Sequence, residues 1–61
     1  MSIPNYMEVE KLLLEAGVAP GDIAVTVLDY FMGLAAIDAG EQPSEGEWDA
    51  VNKVEEIKES L

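Results

Sequence analysis

The sequence predicts an all-α fold: one compact three-helix domain with short connections, spanning residues 1–61. Apolar residues recur every three to four positions through most of the chain. Two of the apolar stretches open on capping signatures, and Gly or Pro punctuates the boundaries between stretches. Disorder is the ordinary reading of so acidic a chain, but 49% of its residues are hydrophobic and they fall in a helical pattern.

The first helix is expected over about residues 6–16. Asn5 and Glu8 stand at capping-box spacing, and the Asn side chain can accept from an orphan N–H of the first turn. Val9, Leu12, Leu13 and Ala16 share one face, with Glu8, Lys11 and Glu15 opposite. Gly17 suits the left-handed position that closes a helix, and Val18 can pack back on it.

The second helix opens at Pro20, with Asp22 near its positive end, and is expected to run to about residue 39, before Gly40. Ile23, Val27, Tyr30, Phe31, Leu34 and Ile37 form a wide apolar surface, which suits a central helix. Asp22, Thr26, Asp29, Gly33 and Ala36 make a narrow polar or small strip read as the other side. Residues 23–27 also have the β-propensity of a strand, yet no second strand is available to pair with them. Gly40 to Pro43 reads as a loop. The third helix, about residues 45–60, begins with a Ser44/Glu47 capping box and carries Trp48, Val51, Val54, Ile57 and Leu61 on its expected inner face.

Composition narrows the function. The chain has no Cys and no His, so there is no disulfide framework, no thiolate metal site and no imidazole base. The N-terminus lacks a signal-peptide pattern, and the apolar stretch from Ile23 to Ile37, about 15 residues with Asp29 inside it, reads as too short and too polar to span a bilayer. Asp38 to Asp49 has the length of a calcium loop, but Gly40 and Gln42 replace oxygen ligands and Pro43 occupies the required glycine position. No phosphate loop or nucleophile elbow is present, and so small a domain offers little volume for a catalytic pocket. No enzyme activity, catalytic residue, metal or cofactor is therefore expected. Direct binding to nucleic acid is not expected either, because thirteen Asp and Glu stand against three Lys, for a formal net charge of −10.

Much of that charge is placed on one surface. At about 100° per residue, Glu45, Asp49, Asn52, Glu56 and Glu59 fall within a sector of roughly 80° on the third helix, with Glu47 and Glu55 at or beyond its flanks. Glu45 and Asp49 are about 6 Å apart along the axis, and Asp49 and Glu56 about 10 Å, separations comparable to phosphate spacing along a nucleic-acid strand. The bland alternative is a solvated face that keeps a small protein soluble. Tyr6, Tyr30, Phe31 and Trp48 are expected in the core, whereas Met7, Leu14 and Met32 fall at the edges of their apolar faces and suit a dimer or partner surface.

In size, charge, absent Cys and His, and the acidic face from Glu45 to Glu59, the chain resembles the small acidic proteins that phages use against host nucleic-acid machinery, especially anti-CRISPR proteins of the DNA-mimic type. The resemblance is one of class and rests on no sequence motif. It implies an inhibitor that occupies a basic DNA-binding groove on a host complex such as a CRISPR surveillance complex, with Asp22, Asp29 and Asp38 aiding the carboxylates of the third helix. It also implies a location in the host bacterial cytoplasm, with no membrane partner. Lys11 beside Glu8 and Glu15 sets the first helix apart from such a surface. The rival expectation is a small structural or regulatory subunit, homodimeric or docked to a partner through apolar residues, with no mimicry.

Overall fold

The computed structural model describes residues 5–60, and within them the chain forms α1 (Tyr6–Glu15), α2 (Pro20–Asp38) and α3 (Glu45–Glu59). No strand occurs among the described residues, and residues 23–27 are helical. Each helix stops one residue short of the expected end, because Ala16, Ala39 and Ser60 are the C-cap residues.

Local chemistry accounts for the ends. Asn5 accepts from the Glu8 N–H at 2.9 Å, one half of a capping box. At α3 the box is complete: the Glu47 N–H donates to Ser44 Oγ and the Ser44 N–H donates to Glu47 Oε1 at 3.0 Å. Gly17 and Gly40 take φ of 90° and 79°, conformations that disfavour a side chain. Beyond them the Val18 and Glu41 N–H groups reach back to the Leu13 and Ala36 carbonyls, so α1 and α2 both close in Schellman motifs.

The core draws on every helix: Val9 and Leu13 from α1, Ile23, Val27 and Tyr30 from α2, and Ala50, Val51 and Val54 from α3. Val18, Phe31, Leu34 and Ile57 pack around it, and no polar or charged side chain is buried among the described residues. α2 is central, touching both neighbours and packing most extensively on α3. α3 runs antiparallel to it, since Ile57 neighbours Asp22 in one groove while Glu47 lies against Gly33 further along.

Several expectations about facing are corrected. Trp48 is 40% exposed, and Tyr6 and Ile37 are also on the surface, so of the four aromatics only Tyr30 is fully buried and Phe31 is half-buried. Leu61 lies outside the described residues. The small strip of α2 is not an outer side. Gly33 is buried against α3, where a Cβ would come within 2.7 Å of Val51 Cγ2, and Thr26, Asp29 and Ala36 are half-buried beside it. A strip of small residues lets the two helix backbones approach closely. The outer side of α2 is instead apolar, with Val25 61% and Leu28 59% exposed.

At 19 residues, α2 has the length and composition of a helix able to cross a membrane, which the shorter stretch from Ile23 to Ile37 did not suggest. The same length and composition belong to the central helix of a small domain, the place that α2 takes between α1 and α3.

Candidate functional site

The acidic surface is built on α3, and the side of α3 that is buried determines where it points. Ala50, Val51 and Val54 face the core, with Ile57 half-buried beside them. Glu45, Asp49, Asn52, Glu56 and Glu59 lie on the opposite side of the helix and are all exposed. The capping box fixes the first turn of that helix, so the row has a rigid base.

The two acids expected at or beyond the flanks of the row differ from the rest. Glu47 does not join the row: it is half-buried on the side that faces Gly33 of α2, and its carboxylate accepts from the Ser44 N–H at the helix cap. Glu55 is exposed and lies 3.9 Å from Lys58 Nζ, a surface pair that contributes little to stability. No ion pair is formed by Glu45, Asp49, Glu56 or Glu59 among the described residues. Glu56 and Glu59 also stand in the last turns of α3, where the free carbonyls already concentrate negative potential. Helix stability alone would favour Lys there.

The supporting acids separate. Asp29 and Asp49 line one groove of about 260 Å³ between α2 and α3, together with Lys53. Asp22 borders a neighbouring groove with Lys53 and Glu56. Asp22 and Asp29 therefore extend the α3 surface along one flank, with Lys53 interrupting it. Asp38 lies at the far end of α2 beside Phe31 and Ile37, away from the row. Among the described residues no three acidic side chains converge closely enough to hold a metal ion.

Trp48 is the residue that the apolar periodicity misplaced. It stands one turn from Glu45 and from Asn52, at the edge of the acidic row, and its indole is partly open to solvent. The residue spacing carried a signal for this: Ala50 lies about 160° round α3 from Trp48, so with Ala50, Val51 and Val54 inside, Trp48 falls at the edge of the inner face. A partly exposed Trp bordering charged groups is a common anchor of protein interfaces.

One titrating group is displaced. The Tyr30 hydroxyl is raised above the ordinary phenol value, chiefly by burial and secondarily by the Glu55 carboxylate.

No protein-family model, curated protein or solved structure matches the chain. The surface itself is what bears on function.

Proposed function

We propose that the chain is an inhibitory binding protein whose α3 surface occupies a basic DNA-binding groove on a nucleic-acid-binding complex, and that it is not an enzyme. The observation that carries this reading is the row of exposed acids at Glu45, Asp49, Glu56 and Glu59, without ion-pair partners among the described residues, beside the exposed ring of Trp48. Carboxylates spaced along a rigid helix present negative charge to Lys and Arg much as a phosphate backbone does. Such complementarity speeds encounter and makes the complex salt-sensitive. A CRISPR surveillance complex is the target that the class resemblance implies. Asn52 adds a neutral hydrogen-bonding group inside the row, and Glu55 lies at its flank, whereas Glu47 faces α2.

The test is charge reversal. Glu45, Asp49, Glu56 and Glu59 are changed together to Lys, and both proteins are used as bait for a bacterial lysate at about 0.1 M salt. The expected result is a nucleic-acid-binding complex held by the parent, released by high salt or duplex DNA, and not held by the reversed variant. Retention of the same complex by a correctly helical reversed variant would sink the proposal.

A further inference from the structure

The outer side of α2 remains to be explained. At about 100° per residue, Gly21, Ala24, Val25, Leu28, Met32 and Ala35 occupy an arc of roughly 100°, and all of them are exposed. Not one charged residue lies on that arc, in a chain with thirteen acids. Asp22 and Asp29 fall toward α3, where they border its grooves. A helix that is apolar all round is normally covered all round, whereas α2 is covered on one side only.

We infer that this face is a homodimer interface, in which α2 packs antiparallel against α2 of a second copy about a two-fold axis at Leu28. Gly21, Ala24, Leu28 and Ala35 of the arc, with the half-buried Phe31 at its edge, recur at alternating steps of three and four, the spacing of a helix–helix seam. Leu28 lies next to the midpoint of Pro20–Asp38. Pairing Leu28 with its own copy puts Ala24 opposite Met32, Val25 opposite Phe31 and Gly21 opposite Ala35. Met32 then meets the small Ala24, and the small Gly21 and Ala35 let the two helices approach at the ends of the seam.

α1 widens the surface. Ala16 lines the groove against Lys53 and Ile57 of α3. Leu14 and Met7 lie roughly 160–180° round the helix from it, on the flank beside the outer arc of α2. Both are exposed. The combined patch measures about 20 by 20 Å, from the rise along α2 and one interhelical spacing plus the two helix radii. That is about half of the broadest face of a molecule of 31 × 25 × 18 Å. A standard interface takes about 800 Å² from each partner, about a fifth of the 4317 Å² this chain exposes, and the patch supplies roughly half of that in outline, its side-chain relief and polar rim adding the rest.

The chemistry of the arc selects a second copy over other occupants. A cationic partner would be met by acids set among the apolar residues, and the arc has none. An anionic lipid surface is repelled by the acids of both neighbouring helices. Two copies joined through the α2 arc bury no charge on that arc, Glu10 and Lys11 standing at its α1 edge, and the α3 acidic rows remain open on the outer sides of the pair. The inference goes beyond the proposed function and does not depend on it.

Sedimentation equilibrium from about 1 to 100 µM, at about 0.15 and 1 M NaCl, provides the test. A dimer of the 6.6 kDa chain is expected, tighter at high salt because two chains of charge −10 approach each other. Leu28→Glu should remain helical and weaken the dimer by at least about tenfold. The chain has no cysteine, so Leu28→Cys adds a single thiol that should cross-link to its own copy on oxidation, while Asn52→Cys should not. A wild-type monomer at both salts, an equally tight Leu28→Glu dimer, or a Leu28→Cys protein that fails to cross-link would overturn the interface. So would wild-type protein floating with phosphatidylcholine vesicles. Leu28→Glu leaves the α3 row intact and the charge-reversed variant leaves the seam intact, so the two proposals fail separately.

Discussion

Gly33 sets how closely α2 and α3 can approach. A methyl group there would come within 2.7 Å of Val51 Cγ2 and 3.3 Å of the Glu47 carbonyl oxygen, and a backbone oxygen cannot move aside cheaply. Gly33→Ala gains about 1 kcal/mol in helix propensity but loses about 1–3 kcal/mol to overpacking, so a net loss of about 1 kcal/mol is expected in urea unfolding. Val51→Ala in the same chain should relieve most of the overpacking, making the double variant's loss smaller than the sum of the single losses. Tyr30 gives a second residue-scale test. Its phenol is raised by burial and by Glu55, so the neutral form favours folding. That stabilisation is fully present below about pH 10, the unfolded phenol value, and is lost as pH rises through the higher folded value. Tyr30→Phe should flatten this alkaline loss while leaving stability near neutral pH within about 1 kcal/mol of the parent. An unchanged alkaline limb would place the loss elsewhere.

At the scale of the elements, what the sequence disclosed depended on whether its signals were local. Asn5, Ser44 with Glu47, Gly17 and Gly40 act within a single turn, and the helix ends fall within one residue of the expected positions for that reason. The exposed row on α3 was legible for a related reason: its inner side is strongly apolar, which leaves one orientation for the acids. α2 has no such contrast. With apolar residues on every side, its periodicity does not select the buried one, and the strip containing Gly33 fits close packing as well as solvent. Trp48 was misplaced because spacing alone does not distinguish an inner residue from one at the edge when Ala50 can fill the inside. Placement of acids on α3 also has a stability consequence. Glu56 and Glu59 oppose the helix dipole, so changing both to Lys should stabilise the fold by about 0.5 kcal/mol each while abolishing the proposed binding. Equilibrium unfolding checks the first part and the lysate capture the second. A loss of stability would show that these acids make contacts beyond those described. Ser44→Ala, by contrast, removes one cap acceptor and should cost about 1 kcal/mol.

The whole molecule carries a formal charge of −10 on one small core, with Glu55–Lys58 the one ion pair among the described residues. Repulsion among acids therefore outweighs attraction, and the sign of the salt effect follows from that imbalance. Screening shortens from about 30 Å at 0.01 M salt to about 3 Å at 1 M, so the acids of α3 and the neighbouring Asp22 and Asp29 cease to feel one another. Losing a surface ion pair costs little by comparison. Adding salt should raise the melting temperature, by several degrees if the relief is on the order of 1 kcal/mol. Dimerisation would move it in the same direction, so the measurement is made on Leu28→Glu, whose melting should be independent of protein concentration. In that monomer a melting temperature that rises with sodium chloride assigns the effect to repulsion within one chain. A fall would mean that attractive pairs outweigh the acidic surface, and would count against reading the α3 row as a set of unneutralised charges held ready for a basic partner.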